Sequence, residues 1–270
     1  MNQTPPRTGP VCRLLLAGLL CTPFNATFAE VPEAIARVKP SVVIVGTFNA
    51  TNSPRFSLRG TGFVVGDGNW AITNAHVVPD GALVEVDSKL VVQIRVDSKS
   101  QPIQGDLQMR QATVMEVDKL HDLALLQFDG APVPKLTLRN SDTVREGQSI
   151  AFMGFPIGGA LGFSAVTHRG MVSSITPIAL PSASAQQLAA RNIASLRSGS
   201  FNIFQLDATA YPGNSGGPVF DTETGEVMGV INMVFVKGTK ESALTNPTGI
   251  SYAIPSKYVL QLLQKCHSYI

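Results

Sequence analysis

The sequence predicts an all-β chain built as two antiparallel barrels, and three observations predict it. Glycine (24) and proline (18) are plentiful, and only 15% of the 270 residues are charged against 44% hydrophobic, a balance that favours short strands and tight turns over long solvent-exposed helices. Short runs rich in Val and Ile recur along the chain with Gly, Asp, Asn and Ser between them. Strand and helix patterns do not alternate, which argues against a doubly wound parallel sheet, and a double barrel of about 200–250 residues fits this length as one unit.

The opening segment reads as an export signal rather than as fold. Arg7 and Arg13 supply positive charge, Leu14 to Leu20 form a short apolar stretch, and Thr27-Phe28-Ala29 puts small residues at a cleavage position after Ala29. That stretch is far shorter than the roughly 20 apolar residues a membrane helix needs. Cys21 could suggest lipid modification, but bulky Leu20 precedes it where a small residue is expected. The expected mature chain, 30–270, is therefore exported, to a periplasm or the extracellular space. It keeps Cys266 alone of the three cysteines, so no intrachain disulfide is expected and packing must hold the fold. Cys266 reads as a packing or tail residue.

A short helix is expected around Pro32 to Arg37. Strands are then expected at Ser41 to Phe48, Gly62 to Val65, Ala71 to Thr73, Ala82 to Val86, Val91 to Val96, Ala112 to Asp118 and Leu123 to Phe128, one barrel's worth spanning about 38–130. Ala131-Pro132-Val133-Pro134 and the turn-forming Asn140-Ser141-Asp142 read as the link to a second half. There, about 145–255, strands are expected at Ser149 to Phe152, Gly170 to Ile175, Phe201 to Leu206, Pro218 to Phe220, Val227 to Val236 and Gly249 to Ala253. A short C-terminal helix, Pro255 to Lys265, is expected to start on its proline. Ser182 to Leu196, rich in Ala and Gln, reads as a helical insertion, either a solvated surface helix or a gate over a site.

The stretch with most chemical content is Gly213-Asn214-Ser215-Gly216-Gly217-Pro218, one hydroxyl among glycines that let backbone N–H groups turn toward a single point. Acyl transfer needs that arrangement, since donors aimed at a developing oxyanion supply about 3 kcal/mol or more. The turn Gly213, Asn214 and Ser215 is assigned to this role, with the N–H groups of Gly213 and Ser215 as donors. Alone, such a stretch is usually just a turn. A serine hydroxyl also needs a neighbouring base. His76, where Ala71-Ile72-Thr73 gives way to a polar turn, is the best placed of the four histidines; His168 and His267 read as exposed loop or tail residues, and His121 as surface-facing. A carboxylate must hold the imidazole in one tautomer. Asp122 opens the apolar Leu123-Ala124-Leu125-Leu126, whereas Asp118 precedes Lys119 and reads as a turn residue; by itself Asp122 would be read as a strand-end cap.

Together, Thr73-Asn74-Ala75-His76-Val77-Val78, His121-Asp122-Leu123-Ala124-Leu125-Leu126 and Gly213-Asn214-Ser215-Gly216-Gly217-Pro218 resemble, in that order, the three active-site motifs of HtrA/Deg-type, trypsin-like serine proteases. Further likenesses lie at Gly60 to Val65, Gly154-Phe155-Pro156, Arg169 to Ser173, Asp207-Ala208 and Ile250 to Pro255, so the resemblance spans roughly Val38 to Leu263. It implies two six-stranded antiparallel β-barrels, with His76 and Asp122 on the first and Ser215 with its oxyanion donors on the second. It also implies a serine endopeptidase that cleaves exported or misfolded proteins through an acyl-enzyme, its substrates unfolded polypeptide. No C-terminal PDZ module is expected after the closing helix, and the family's oligomers do not transfer to this chain on sequence alone.

Gly213 to Gly217 also fits the Gly-x-Ser-x-Gly elbow of an α/β-hydrolase, but there the acid and histidine follow the serine; here only Asp221 and His267 do. The other alternative is a gated or inactive double-barrel module that binds unfolded polypeptide, against which the complete triad argues. Thr209, Ala210, Tyr211, Ile231, Asn232 and Met233 are candidate pocket residues, and their mostly small or apolar character suggests a preference for small or medium aliphatic side chains. Asp207 could instead attract a basic one. A net charge of +2 with no run of like charges gives no footprint for nucleic acid, and no metal or cofactor motif is present in the sequence.

Overall fold

The computed structural model describes residues 1, 31–79, 87–96, 106–156, 163–177, 201–232 and 249–267. The proposed leader, the strand expected at Ala82 to Val86, the Ser182 to Leu196 insertion and Met233 lie outside them. Val31–Val38 forms α1, with Glu33 in its first turn and Arg37 in its last, each at the helix end whose partial charge it complements.

Six strands follow: β1 (Val42–Phe48), β2 (Phe56–Val65), β3 (Trp70–Asn74), β4 (Lys89–Val96), β5 (Asp106–Asp118) and β6 (Leu123–Phe128). They close in the order β1-β2-β3-β6-β5-β4. A second six, β7 (Ser149–Gly154), β8 (Val166–Pro177), β9 (Asn202–Asp207), β10 (Pro218–Asp221), β11 (Val227–Asn232) and β12 (Ile250–Pro255), closes as β10-β11-β12-β9-β8-β7. Every strand pairing is antiparallel. The helix α2 (Ser256–His267) packs Tyr258, Val259 and Leu262 into the core. The expected architecture of two six-stranded barrels with a C-terminal helix is the one observed.

The apolar runs are explained by burial on both faces. Val43 and Val45 of β1 join Val64, Ala71, Val92, Ala124 and Leu126 inside the first barrel, while alternate residues Val42 and Ile44 enter a core shared by both barrels. In β7, Ile150 and Phe152 fill the second barrel and Ala151 and Met153 face the shared core. Period-2 alternation thus sorts neighbours between two apolar environments instead of between core and water.

Several strands outrun their expected limits. β2 starts at Phe56 rather than Gly62, because Phe56 and Leu58 alternate with exposed Ser57 and Arg59 while still pairing with β1. β5 and β8 likewise extend to Asp106 and Val166 by continued pairing with β4 and β7. At the other end, Pro255 finishes β12 opposite Gly229, and the helix begins at Ser256, whose hydroxyl donates to the Arg139 carbonyl at 2.5 Å. The helix does not start on its proline as expected.

Candidate active site

β3 and β6 pair until Asn74 lies opposite Leu123, so the residues just past those ends meet. On one side the chain makes a 3-10 turn, Ala75–Val77, carrying His76; on the other it places Asp122. Asp122 has a φ of 52°, a left-handed conformation that aspartate tolerates better than most residues. Its carbonyl accepts from Ala75 N–H and Asn74 Nδ2, each at 3.1 Å, which locks the two turns together.

The carboxylate then grips His76 twice. Asp122 Oδ2 lies 2.6 Å from His76 Nδ1, and Oδ1 accepts the His76 backbone N–H at 2.9 Å. An ionised carboxylate can only accept, so the imidazole proton sits on Nδ1 and the lone pair on Nε2 faces away from Asp122. Asn232 at the end of β11, fully buried, donates its Nδ2 to the same Oδ2 at 2.6 Å. The second barrel therefore reaches across to orient the first barrel's acid.

Ser215 sits in the turn between β9 and β10, only 5% exposed. Asn214 N–H donates to the Tyr211 carbonyl (3.0 Å), Gly217 N–H to the Asn214 carbonyl (2.9 Å) and Gly216 N–H to the Ile231 carbonyl (3.0 Å). Among the described residues the N–H groups of Gly213 and Ser215 have no such partner. These are the two expected oxyanion donors. The Asn214 N–H, included in the same turn assignment, is committed to Tyr211 and is not available. Gly213 and Gly216 have φ of 103° and 87°, and a methyl group at Gly216 would run into Thr61 O and Thr73 Oγ1, so the turn requires glycine there.

Thr61 of β2, which sequence reasoning placed in a supporting motif without a role, binds this turn to the first barrel. Its N–H donates to the Ser215 carbonyl at 2.8 Å, its Oγ1 donates to the Gly213 carbonyl at 2.7 Å, and the same Oγ1 accepts Phe155 N–H at 3.1 Å. The hydrogen bonds of His76 run to Asp122; none joins its ring to Ser215 among the described residues.

The candidate pocket residues part company. Ile231 is fully buried and Ala210 nearly so, both inside the second barrel, so their side chains fill the core and do not line a cleft. Asn232 stands behind Asp122. Thr209 and Tyr211 are half-buried, and Asp207 is exposed. Nor do two histidines lie where the sequence reading placed them. His121 is not surface-facing: it stacks on Tyr258 at 4.0 Å and pairs with Asp118 Oδ2 at 2.6 Å. His168 is not in an exposed loop but in β8, stacked on Phe152, and burial holds its imidazole pKa below the usual value. No group of three or more His, Cys, Asp or Glu among the described residues is placed to hold a metal ion.

A family model described as the trypsin-like peptidase domain matches residues 60–230. The mitochondrial serine protease HTRA2 of Drosophila pseudoobscura pseudoobscura is 31% identical over 245 residues, covering 88% of this chain and 47% of that protein. A probable periplasmic serine endoprotease, DegP-like, of Marinomonas sp. (strain MWYL1) is 28% identical over 209 residues, covering 77% of this chain and 35% of its own length. The chain thus spans about half or less of the curated relatives it matches. Among solved structures, an HtrA-type protease AlgW with a decapeptide superposes with a TM-score of 0.63 at 23% identity, over 89% of this chain and 68% of that one.

Proposed function

Because this chain belongs to the trypsin-like peptidase family, we propose that it is a serine endopeptidase in which Ser215 is the nucleophile, His76 the general base and Asp122 the residue that orients the base. The observation that carries the reading is the double grip of Asp122 on His76, with Oδ2 2.6 Å from Nδ1. A carboxylate spent on both the ring and its own backbone N–H leaves Nε2 as the proton acceptor.

In this mechanism Nε2 takes the Ser215 hydroxyl proton as Oγ bonds to the scissile carbonyl carbon. The carbonyl π pair moves onto oxygen, where Gly213 and Ser215 N–H receive it. His76 then returns the proton to the leaving amine as the C–N bond breaks, and a water repeats the sequence on the acyl-enzyme. Catalytic hydrogen bonds often tighten only when substrate is bound. The contact between His76 and Ser215 is therefore made in the substrate complex.

Substrates are polypeptides in unfolded form, with small or medium aliphatic residues preferred before the scissile bond. The relatives divide between a mitochondrial and a periplasmic protein by name. The charged, then apolar, then small-residue order of the first 29 residues supports export, to a periplasm or the cell exterior.

The test is covalent labelling of the purified chain by a fluorophosphonate, with and without casein and with Ser215→Ala as control. Labelling of the wild type alone is expected, and dependence on casein identifies a gated site. The second reading, a double barrel that binds polypeptide without turnover, has one observation in its favour, the absent His76–Ser215 bond. It prevails if a folded wild type stays unlabelled under both conditions.

A further inference from the structure

One of the histidines that the triad does not use, His168, packs against the serine turn. It projects from β8 opposite Phe152 of β7, and its ring stacks on the Phe152 ring with centroids 4.8 Å apart and planes inclined by 17°. Tyr211, at the start of the turn, tilts over it at 5.9 Å. Its Nε2 is 3.4 Å from Asn214 Nδ2.

Asn214 is fully buried, and Oδ1, the other end of its amide, has no hydrogen-bond partner. A β-carbon at Gly154 would lie 2.7 Å from that oxygen and 2.9 Å from Thr61 Oγ1, so the side chain fills a slot that only glycine leaves open. A buried amide with one end unsatisfied is costly, and it stays in place because the remaining bond and the shape of the slot hold it. Among the described residues, the bond to His168 is the one side-chain hydrogen bond that this amide makes.

Asn214 also joins the two peptide planes beside the nucleophile, the second of which carries one of the two proposed oxyanion donors. The plane before it contains the Gly213 carbonyl, and the plane after it contains the Ser215 N–H. We infer that His168 is a positioning residue: by accepting from Asn214 Nδ2 it fixes the Asn214–Ser215 peptide plane and so aims the Ser215 N–H at the oxyanion. This inference rests on the reading of Ser215 given above. It requires a neutral imidazole with its proton on Nδ1, since a protonated Nε2 would face the amide donor-to-donor and the amide would have to turn over. Burial, which lowers the His168 pKa, keeps it neutral at neutral pH. Phe152 and Asn214 bring no charge to it, and Tyr211 is the titratable group in contact among the described residues.

The experiment compares His168→Gln, whose side-chain oxygen can accept from the amide, with His168→Leu, which cannot. Both are assayed for fluorophosphonate acylation rate, for kcat and KM on a peptide substrate, and for Tm. His168→Leu is expected to lower kcat at least tenfold with KM within about twofold of wild type, and His168→Gln to recover most of that loss. A leucine variant that keeps its full kcat, or a glutamine variant that falls as far as leucine at unchanged Tm, overturns the inference. Should either variant fail to fold, or should the wild type not react at all and so remove the reading of Ser215, imidazole nitrogen shifts in the wild type decide. A protonated Nδ1 and hydrogen-bonded acceptor Nε2 at pH 8 support the positioning role, and a protonated Nε2 overturns it.

Discussion

Asp122 is oriented from two barrels at once, and that sharing makes Asn232 more than a core amide. Both short bonds to Oδ2, from His76 Nδ1 and Asn232 Nδ2, are 2.6 Å, so loss of one donor alters the charge the other meets. Asn232→Leu is expected to reduce kcat by about 10- to 100-fold with little change in KM, because the imidazole loses its fixed orientation in the transition state and not its contact with substrate. Equal loss in kcat and gain in KM would instead assign Asn232 to substrate binding, where the sequence reading had put it. The sequence did not reveal the bond to Asp122 for a physical reason: Asn232 lies 110 residues from Asp122, and only the closure of two barrels brings them together. The pairing of His76 with Asp122 was legible because each residue sits at the end of an apolar strand, whereas Thr61, Asn232 and His168 have ordinary surroundings in sequence. Asp221 carries a pH prediction of the same local kind. Burial opposes its ionisation, but hydrogen bonds from Thr224 and Glu223 N–H and Gln148, with the charge of Arg139, outweigh it and bring its pKa below 3.8. A carboxyl more acidic folded than unfolded adds stability above about pH 3.8, and that stability is lost as pH falls through its lower folded value. Asp221→Asn should therefore flatten the acid limb of a stability–pH curve; an unchanged limb would show that other carboxylates control it.

At the scale of elements, β2 joins the two halves of the site. Thr61, fully buried, is its one residue that holds the serine turn by backbone and side chain together. Thr61→Val keeps the shape and removes the hydroxyl, leaving the Gly213 carbonyl and Phe155 N–H without that partner. The expected cost is about 3 kcal/mol of stability, from roughly 1–3 kcal/mol for each buried group left unpaired, measured by chemical denaturation. Acylation should slow as well, since the Gly213 carbonyl is freed to rotate with its peptide plane. Loss of stability at wild-type acylation rate would show that the turn is held by the Ser215 carbonyl bond to Thr61 N–H instead. The sequence exposed this element only in part. Gly62 to Val65 reads as strand because those residues are buried on both faces, but Phe56 to Gly60 alternates with Ser57 and Arg59 and reads as loop. The same blindness shortened β5 and β8, whose first residues are held by ladder pairing and not by apolar content.

For the whole molecule, the division of the apolar residues decides how it unfolds. The core shared by the barrels contains 22 buried residues, against 12 inside each barrel, among the residues described. It takes in β1, β6, β7, β10 and both helices, with Ala34 and Val38 from α1 and Tyr258, Val259 and Leu262 from α2. A barrel separated from its neighbour would therefore expose the whole apolar face it turns to that shared core, and neither should be stable alone. The sequence could mark most of the strands but could not foresee this, because Val42 and Val43 are the same residue type and only barrel closure sends one to each core. Thermal unfolding is expected as a single calorimetric transition with equal van't Hoff and calorimetric enthalpies. Ile44→Ala, in the shared core, should cost about 2–5 kcal/mol and lower that one Tm without splitting it. A second transition, or a folded fragment of residues 31–130 by itself, would mean that the barrels are held by their own interiors and that the Asn232–Asp122 bond joins two otherwise independent units.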